Sequence, residues 1–173
     1  EWLCRRYPDA YTFEQAWGVD YPPEEAEVPI DLPIDVPEKA MLGGAEDRKF
    51  TDYLDYIGEL TASGIERLAM AVKQASHGEN LVIAFYGYYF EIFNASSGHF
   101  HFRSLLESPW LDGFASPVTY MDRRTGELPA LACSGFMTAV DTVVRAGKLW
   151  YMESDQRTFI NRTDRPWDHT LLP

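Results

Sequence analysis

Cysteine is scarce in this sequence, and no long apolar run is present. Cys4 and Cys133 are the two cysteines among 173 residues, and they stand too far apart to match the ligand spacing of a metal site. We therefore expect two free thiols, which favours a reducing, cytoplasmic compartment without deciding it. No stretch approaches the roughly 18 apolar residues of a membrane span, and the acidic start lacks the basic flank and the apolar core of a signal peptide.

Basic residues are scarce as well. The chain carries 15 Lys and Arg against 27 Asp and Glu, a net charge of -12, and the first 60 residues hold 15 of the acidic and 5 of the basic residues. Such a surface repels the phosphates of nucleic acids and the headgroups of anionic lipids. We therefore expect neither nucleic acid nor a membrane as a partner.

Hydrophobic and aromatic residues are abundant by contrast. Hydrophobic residues make up 46% of the chain and aromatic residues 14%, with 10 Tyr and 5 Trp. This composition and a length of 173 residues are enough for one globular domain with a sizeable core. Aromatic rings also stack on sugars and on bases, and the acidic charge disfavours nucleic acids, so a carbohydrate is the favoured partner.

The hydrophobic pattern divides this single domain, residues 1–173, into three parts. Residues 1–46 hold the end of one helix, a short helix capped at Thr12 and ended by Gly18, and an acidic excursion rich in proline. Residues 47–160 alternate helices with strands and begin with a helix of about eight turns. Residues 161–173 form a tail without periodicity.

Three short apolar runs in the middle part predict strands, over about 81–89, 112–120 and 149–153. Each run follows a predicted helix, which is the order found in parallel sheets. The first run is apolar on both faces, so we expect the sheet to be covered on both sides. Because the strands end in polar or aromatic residues, a partial (β/α)8 barrel of the TIM-barrel type with flanking helices is favoured over a flat three-stranded α/β sheet.

The last of these strands carries the leading candidate for a functional residue. Leu149 to Met152 form an apolar and aromatic run, typical of a buried strand, that ends on Glu153. A carboxylate at the point where a buried strand opens into a loop is typical of the ligand-binding end of parallel α/β proteins. We expect Glu153 to point into a concavity, with Asp155 and Arg157 supporting it as an ion pair or contacting a substrate. A charged turn without function is the alternative.

Further candidates lie at the carboxyl end of the first strand and in the segments that follow the first two strands: Tyr86, Tyr88 and Glu91, then His99 and His101, and then Arg123 and Arg124. Tyrosine rings can stack on sugars, carboxylates accept hydrogen bonds from hydroxyl groups, and arginines can hold hydroxyl or carboxylate groups. No cysteine or acidic cluster accompanies the histidines at ligand spacing, so we expect no metal and no other cofactor. For the paired arginines, a solvated loop is the alternative.

Three blocks of the sequence resemble one family of enzymes: Trp2-Leu3 with Arg6-Tyr7 and the run Phe13–Gly18, then Leu111–Tyr120, and then Lys148–Glu153. In that order they are similar to the segment after the fourth barrel strand, to the sixth strand and to the seventh strand of the β-galactosidase-like glycoside hydrolases of family 42, within clan A. The resemblance covers most of the chain, and each of its motifs is short.

The resemblance implies a (β/α)8 barrel that cleaves β-linked sugars with retention, using two carboxyl groups about 5 to 5.5 Å apart. Glu153 would be the nucleophile, and Tyr120 would donate a hydrogen bond to it, or else only anchor its own strand. The acid/base glutamate would precede Glu1, so the chain would correspond to the middle and late part of a barrel. Glu91 falls on the strand that aligns as the fifth, and it is the second carboxylate only if this alignment is mistaken.

From this resemblance we expect that the isolated chain is inactive, and that it self-associates or requires the missing part of a barrel. A carbohydrate-binding remnant without turnover and a structural α/β module are the alternatives. The sequence does not determine the sugar or the linkage.

Overall fold

The computed structural model describes residues 1–27, 47–88, 97–117 and 137–153. The chain forms two compact units, one of Glu1–Thr61 with Asn94–Phe100 and one of Ala62–Phe93 with His101–Pro173. The described part of the first unit is helical, and the second unit contains the sheet.

Helices form the described part of the first unit: α1 (Trp2–Arg6), α2 (Ala10–Trp17), a 3-10 turn (Pro23–Glu25) and the beginning of α3 (Arg48–Ala75). The predicted cap at Thr12 is wrong, because α2 begins before Thr12 and the Asp9 carboxylate accepts a 2.7 Å hydrogen bond from the Thr12 amide. Asp9 lies three residues before Thr12, the distance from which a capping side chain reaches a first-turn amide. Gly18 ends α2 in the left-handed conformation at φ 66°, as predicted.

The second unit is built around a parallel sheet of three strands: β1 (Ile83–Phe85), β2 (Gly113–Pro117) and β3 (Leu149–Glu153). The rest of α3 leads into β1, while α4 (Phe102–Glu107) precedes β2 and α5 (Val140–Arg145) precedes β3. The order of the strands in space follows their order in the chain. The prediction of a mixed α/β fold with a parallel sheet and helices is therefore confirmed.

The close pairing of β2 with β3 requires a glycine at the start of β2. A Cβ atom on Gly113 would stand 2.6 Å from the Leu149 carbonyl oxygen, a distance that real Cβ contacts do not reach. Any larger residue at this position would push the two strands apart.

The described helices pack against one face of the sheet. Alternation along the strands places Ala84, Phe114 and Trp150 on that face, and they belong to a core with the following helix residues: Ala62, Ile65 and Ala69 of α3, Phe102, Leu105 and Leu106 of α4, and Val143 of α5. Phe85, Leu149 and Tyr151 lie on the opposite face, which we call the bare face, and their side chains are 58%, 44% and 50% exposed.

All five residues of the central strand β2 are buried, so the expectation of a sheet covered on both sides fails only at the exposed side chains of the flanking strands β1 and β3. The expectation that β3 is buried is wrong. In β3 only Trp150 is half-buried, and the other four residues are exposed. The physical reason is position: β3 lies at one edge of the described sheet, next to β2 alone. An apolar strand sequence indicates a preference for burial, and burial also needs a neighbour on each side.

Asp112, just before β2, ties together the amino ends of the three strands. Its Oδ2 atom lies 2.7 Å from the Lys73 Nζ atom and accepts a 2.7 Å hydrogen bond from the Val82 amide, and its carbonyl accepts one of 2.8 Å from the Leu149 amide. Partial burial alone would raise the pKa of this carboxyl, but the hydrogen bonds from Lys73 and Val82 and the charges of Lys73 and Lys148 lower that pKa. The folded state therefore favours the ionised form.

We expect Asp112→Asn to reduce the free energy of unfolding by about 1.5 kcal/mol at pH 7, because Lys73 loses its charged partner. A carboxyl with a lowered folded-state pKa stabilises the fold above its unfolded pKa, near 4, and loses that effect as the pH falls through the folded value. The difference between the two proteins in the free energy of unfolding, measured by urea denaturation, should therefore shrink as the pH falls from about 5 to about 3, which is about one unit on either side of that unfolded pKa. Glu79→Gln, an exposed change in the same unit, is the control. A difference that stays constant over this pH range contradicts the assignment.

Candidate functional site

The carboxyl ends of the three strands meet at one edge of the sheet, which is where parallel α/β proteins bind ligands. The strands end at Phe85, Pro117 and Glu153, and Pro117 is the direct neighbour of Glu153 across the pair of β2 and β3. The predicted nucleophile therefore does lie at the carboxyl end of a parallel strand.

Glu153 is exposed, and alternation along β3 places it on the bare face together with Leu149 and Tyr151. The sequence predicts that this side chain points into a concavity. In the described residues the carboxylate instead stands in solvent, at the end of a face whose aromatic and aliphatic side chains are also exposed.

Tyr86, which follows β1, is part of the hydrophobic core of the second unit. Its ring is 1% exposed and packs against the Phe102 ring at a centroid distance of 6.1 Å, and its hydroxyl oxygen accepts a 3.1 Å hydrogen bond from the His101 amide. Burial raises the pKa of Tyr86 to about 12, although the bond from His101 opposes this. As placed, the ring offers no open face to a sugar, which is at odds with the predicted stacking role.

Backbone and hydroxyl contacts brace the same edge. The Thr138 hydroxyl donates a 3.1 Å hydrogen bond to the Tyr86 carbonyl, and the Met137 amide donates one of 3.3 Å to the Pro117 carbonyl. Both Met137 and Thr138 are buried. The segment before α5 thus fixes the ends of β1 and β2, a role that sequence reasoning missed because Thr138 lies 52 residues from its partner.

Three other candidate residues are described: Tyr88, His99 and His101. Tyr88 is half-buried in the second unit, one residue beyond Gly87. His99 belongs to the first unit and is half-buried, and burial lowers the pKa of its imidazole, so that this ring is neutral at pH 7. His101 is half-buried in the second unit, where its amide donates the hydrogen bond to the Tyr86 hydroxyl oxygen.

The remaining predicted site residues lie outside the described residues: Tyr120, Glu91, Arg123, Arg124, Asp155 and Arg157. The hydrogen bond from Tyr120 to Glu153 and the support of Glu153 by Asp155 and Arg157 therefore stay predictions. The same holds for Glu91 as a substitute second carboxylate.

The first unit contains a buried charged cluster that the sequence did not predict. The Asp52 side chain is 1% exposed, and its Oδ2 atom accepts hydrogen bonds from the Tyr7 hydroxyl at 2.5 Å and from the Trp17 indole at 2.8 Å. The Nε atoms of Arg6 and Arg48 lie 3.1 and 3.0 Å from Oδ1. Neither N–H group points at Oδ1 well enough for a hydrogen bond, so these two contacts are charge pairing alone.

Tyr7 is the second centre of this cluster. Its hydroxyl oxygen accepts a 2.9 Å hydrogen bond from Arg48 Nε while it donates to Asp52. Burial and the bond to Asp52 raise the pKa of Tyr7, and the Arg48 charge reduces this effect. The phenol is therefore neutral at physiological pH. The sequence could have predicted one part of this cluster, the ion pair of Arg48 with Asp52, because these residues are four apart on one helix. Tyr7 and Trp17 are distant in sequence, so their contacts with Asp52 could not be predicted.

Within residues 1–27, 47–88, 97–117 and 137–153, no group of three or more His, Cys, Asp or Glu side chains is arranged to hold a metal ion. None of the helices in these ranges is both long and apolar enough to cross a membrane. Cys4 is a free thiol, as predicted, and Cys133 lies outside the described residues.

Comparisons with models of protein families, with curated proteins and with solved structures find no match to this chain. The resemblance to the family 42 glycoside hydrolases therefore rests on the sequence blocks alone.

We expect Asp52→Asn to lower the free energy of unfolding by about 3 kcal/mol, the low end for breaking a buried charge pair, because Arg6 and Arg48 then face a neutral amide. Asp55→Asn is the matched control on the same helix, since Asp55 also pairs with Arg6, at 2.8 Å, but its side chain is 45% exposed. Its loss should stay below about 1 kcal/mol. Urea denaturation followed by near-ultraviolet circular dichroism measures both values, and equal losses would contradict a special role for Asp52.

Proposed function

We propose that this chain is a sector of a retaining glycoside hydrolase barrel that acts on β-linked sugars, with Glu153 as the nucleophile. One observation carries the proposal: Glu153 ends a parallel strand on the bare face of a sheet whose described helices all pack on the other face. In a (β/α)8 barrel the helices form the outer layer, and catalytic residues stand at the carboxyl ends of the strands.

The one-sided helix layer favours a barrel sector over a doubly wound sheet. A doubly wound sheet reverses its strand order and places helices on both faces. Here the order β1-β2-β3 does not reverse, and Phe114 of the central strand packs with residues of α3, α4 and α5. The opposite face carries the small residues Gly113 and Ala115 beside larger exposed side chains, which suits an inner barrel surface.

The chemistry of retention assigns a defined step to Glu153. One carboxylate oxygen attacks the anomeric carbon and forms a glycosyl ester, the bond from that carbon to the leaving oxygen breaks, and its electron pair stays on the leaving oxygen. A second carboxyl group protonates that oxygen and afterwards removes a proton from the water that hydrolyses the ester. The family resemblance assigns this second role to a glutamate that would precede Glu1.

Binding without turnover is the second candidate function. Among the described residues at the carboxyl edge of the sheet, Glu153 is the one carboxylate. A single carboxylate can accept hydrogen bonds from sugar hydroxyls, but it cannot both attack and protonate. This observation favours a carbohydrate-binding remnant if no second carboxyl group joins the edge.

A galactoside whose leaving group needs no proton tests the nucleophile separately from the acid. We expect 2,4-dinitrophenyl 2-deoxy-2-fluoro-β-galactoside to release one equivalent of dinitrophenolate and leave one fluorinated galactosyl group on Glu153, located by peptide mass spectrometry. Dinitrophenolate needs no proton to leave, and the fluorine slows hydrolysis of the ester. Glu153→Gln should abolish labelling, and Glu107→Gln, an exposed change on α4, should not.

The remaining outcomes separate the hypotheses. Galactoside binding without labelling supports the remnant, and neither binding nor labelling contradicts both functions. With an aryl galactoside whose leaving group needs protonation, we expect negligible hydrolysis by the 173-residue chain. Hydrolysis that Glu91→Gln abolishes would instead place the second carboxylate in this chain.

The exposed apolar side chains of the bare face favour association with another copy of the chain. We expect the chain to self-associate in static light scattering, because exposed Phe85, Leu149 and Tyr151 stand beside strand edges that can pair with another copy. Tyr151→Lys should shift the protein towards the monomer, while Tyr11→Lys, on an exposed position of α2, should not. A monomer at all concentrations, or equal effects of the two changes, contradicts the prediction.

A further inference from the structure

The first unit contains a cavity that the proposed function does not use. Its volume is about 470 Å³, within the range of about 300 to 1,000 Å³ that is usual for sites of small molecules. Residues of α1, α2, the 3-10 turn and α3 line it, and four of them are aromatic: Trp2, Trp17, Tyr53 and Tyr56. All four rings are half-buried, so each keeps part of its surface open.

Hydrogen bonds hold the two indole rings in place. The Trp17 indole donates to Asp52 at 2.8 Å, and the Trp2 indole donates to Glu59 at 2.6 Å. Tyr56 meets Trp2 edge to face at a centroid distance of 6.0 Å. Rings that are fixed before a ligand arrives lose little entropy on binding, so these walls are preorganised.

This aromatic cluster already holds one cation. The guanidinium carbon of Arg6 lies 5.0 Å from the centroid of the Trp2 ring, within the distance of a cation–π contact. The contact shows that the local surroundings tolerate positive charge on an aromatic face.

The charges around the cavity are unbalanced towards the negative. Asp52 is matched by Arg6 and Arg48, whereas Glu24 and Glu27, which line the cavity, have no ion-pair partner within residues 1–27 and 47–88. Lys49 also lines the cavity, and its ammonium group lies over the Phe50 ring at 5.1 Å. Glu1 and Arg5 line the cavity too, and Arg5 is paired with Glu59 at 3.3 Å. Three carboxylates, those of Glu1, Glu24 and Glu27, thus face the ammonium group of Lys49, on the most acidic part of the chain.

We propose that this cavity binds an organic cation, an alkylammonium group that lies against the aromatic rings and is balanced by Glu24 and Glu27. Aromatic faces attract such a group through the quadrupole of the ring, and the attraction grows when water is excluded. The acidic surroundings raise the local concentration of cations. The residues that line this cavity all belong to the first unit, and the proposal stands whether or not the chain cleaves sugars.

Isothermal titration calorimetry with choline and with its neutral isostere 3,3-dimethyl-1-butanol tests the charge requirement on the full 173-residue chain. The two probes have the same shape and differ in one positive charge. We expect choline to bind at least about tenfold more tightly than the alcohol, and more weakly as salt is added. Equal binding of the two probes, or binding of methyl β-galactoside in place of choline, overturns the proposal.

Variants locate the site. Tyr56→Leu should weaken choline binding about threefold to tenfold through loss of a ring face, while Tyr11→Leu, outside the cavity, should leave it unchanged. Glu24→Gln combined with Glu27→Gln changes only exposed side chains, so it tests the site even if Tyr56→Leu fails to fold. This double variant should weaken binding and flatten its salt dependence. Choline affinity that neither the ring change nor the double variant alters would show that the cation binds elsewhere.

Discussion

Parallel strands cannot be joined by a tight turn, because the chain must return to the same end of the sheet before the next strand begins. In the second unit each described return includes a helix, and all of these helices pack on the face that contains Phe114. This constraint determines the character of the other face. On that other face Phe85, Leu149 and Tyr151 are exposed to solvent, and the Glu153 carboxylate lies at its carboxyl end. The fold of this unit and its candidate chemistry therefore have the same origin.

Two partly or fully buried aspartates stabilise the units in different ways. Asp112 accepts a hydrogen bond from a strand amide and pairs with Lys73, so it fixes backbone at the amino edge of the sheet. Asp52 is paired entirely with side chains, which come from α1, α2 and α3. A buried carboxylate is costly unless every partner is present, so Asp52 makes the arrangement of three helices mutually dependent. The same dependence fixes the indole of Trp17, and so one wall of the cavity in that unit.

Much of this architecture could be predicted from sequence because its signals are local. The alternation of helices and strands, the stop at Gly18 and the position of Glu153 at a strand end all follow from residues within a few positions of one another. The burial of β3 could not be predicted, since an apolar run does not specify which neighbour covers it. Asp9 was missed because Thr12 offers a competing cap, and the partners Tyr7 and Arg6 of Asp52 lie 45 residues or more away in sequence. The burial of Tyr86 could not be predicted either, because an aromatic residue after a strand suits a binding edge and a core equally well.

The exposure of Glu153 links the bare face to reactivity. A carboxylate in water is stabilised by its hydration, and an enzyme makes such a group effective by replacing that water with a closed, preorganised polar site. In a barrel, the surface that covers the bare face also removes water from the carboxyl edge and can deliver the second carboxyl group. Covering the apolar side chains and supplying the proton donor for hydrolysis would then be one event. The proposed activity thus depends on what completes the sheet, while the affinity of the edge for a sugar hydroxyl requires only the carboxylate that is already there.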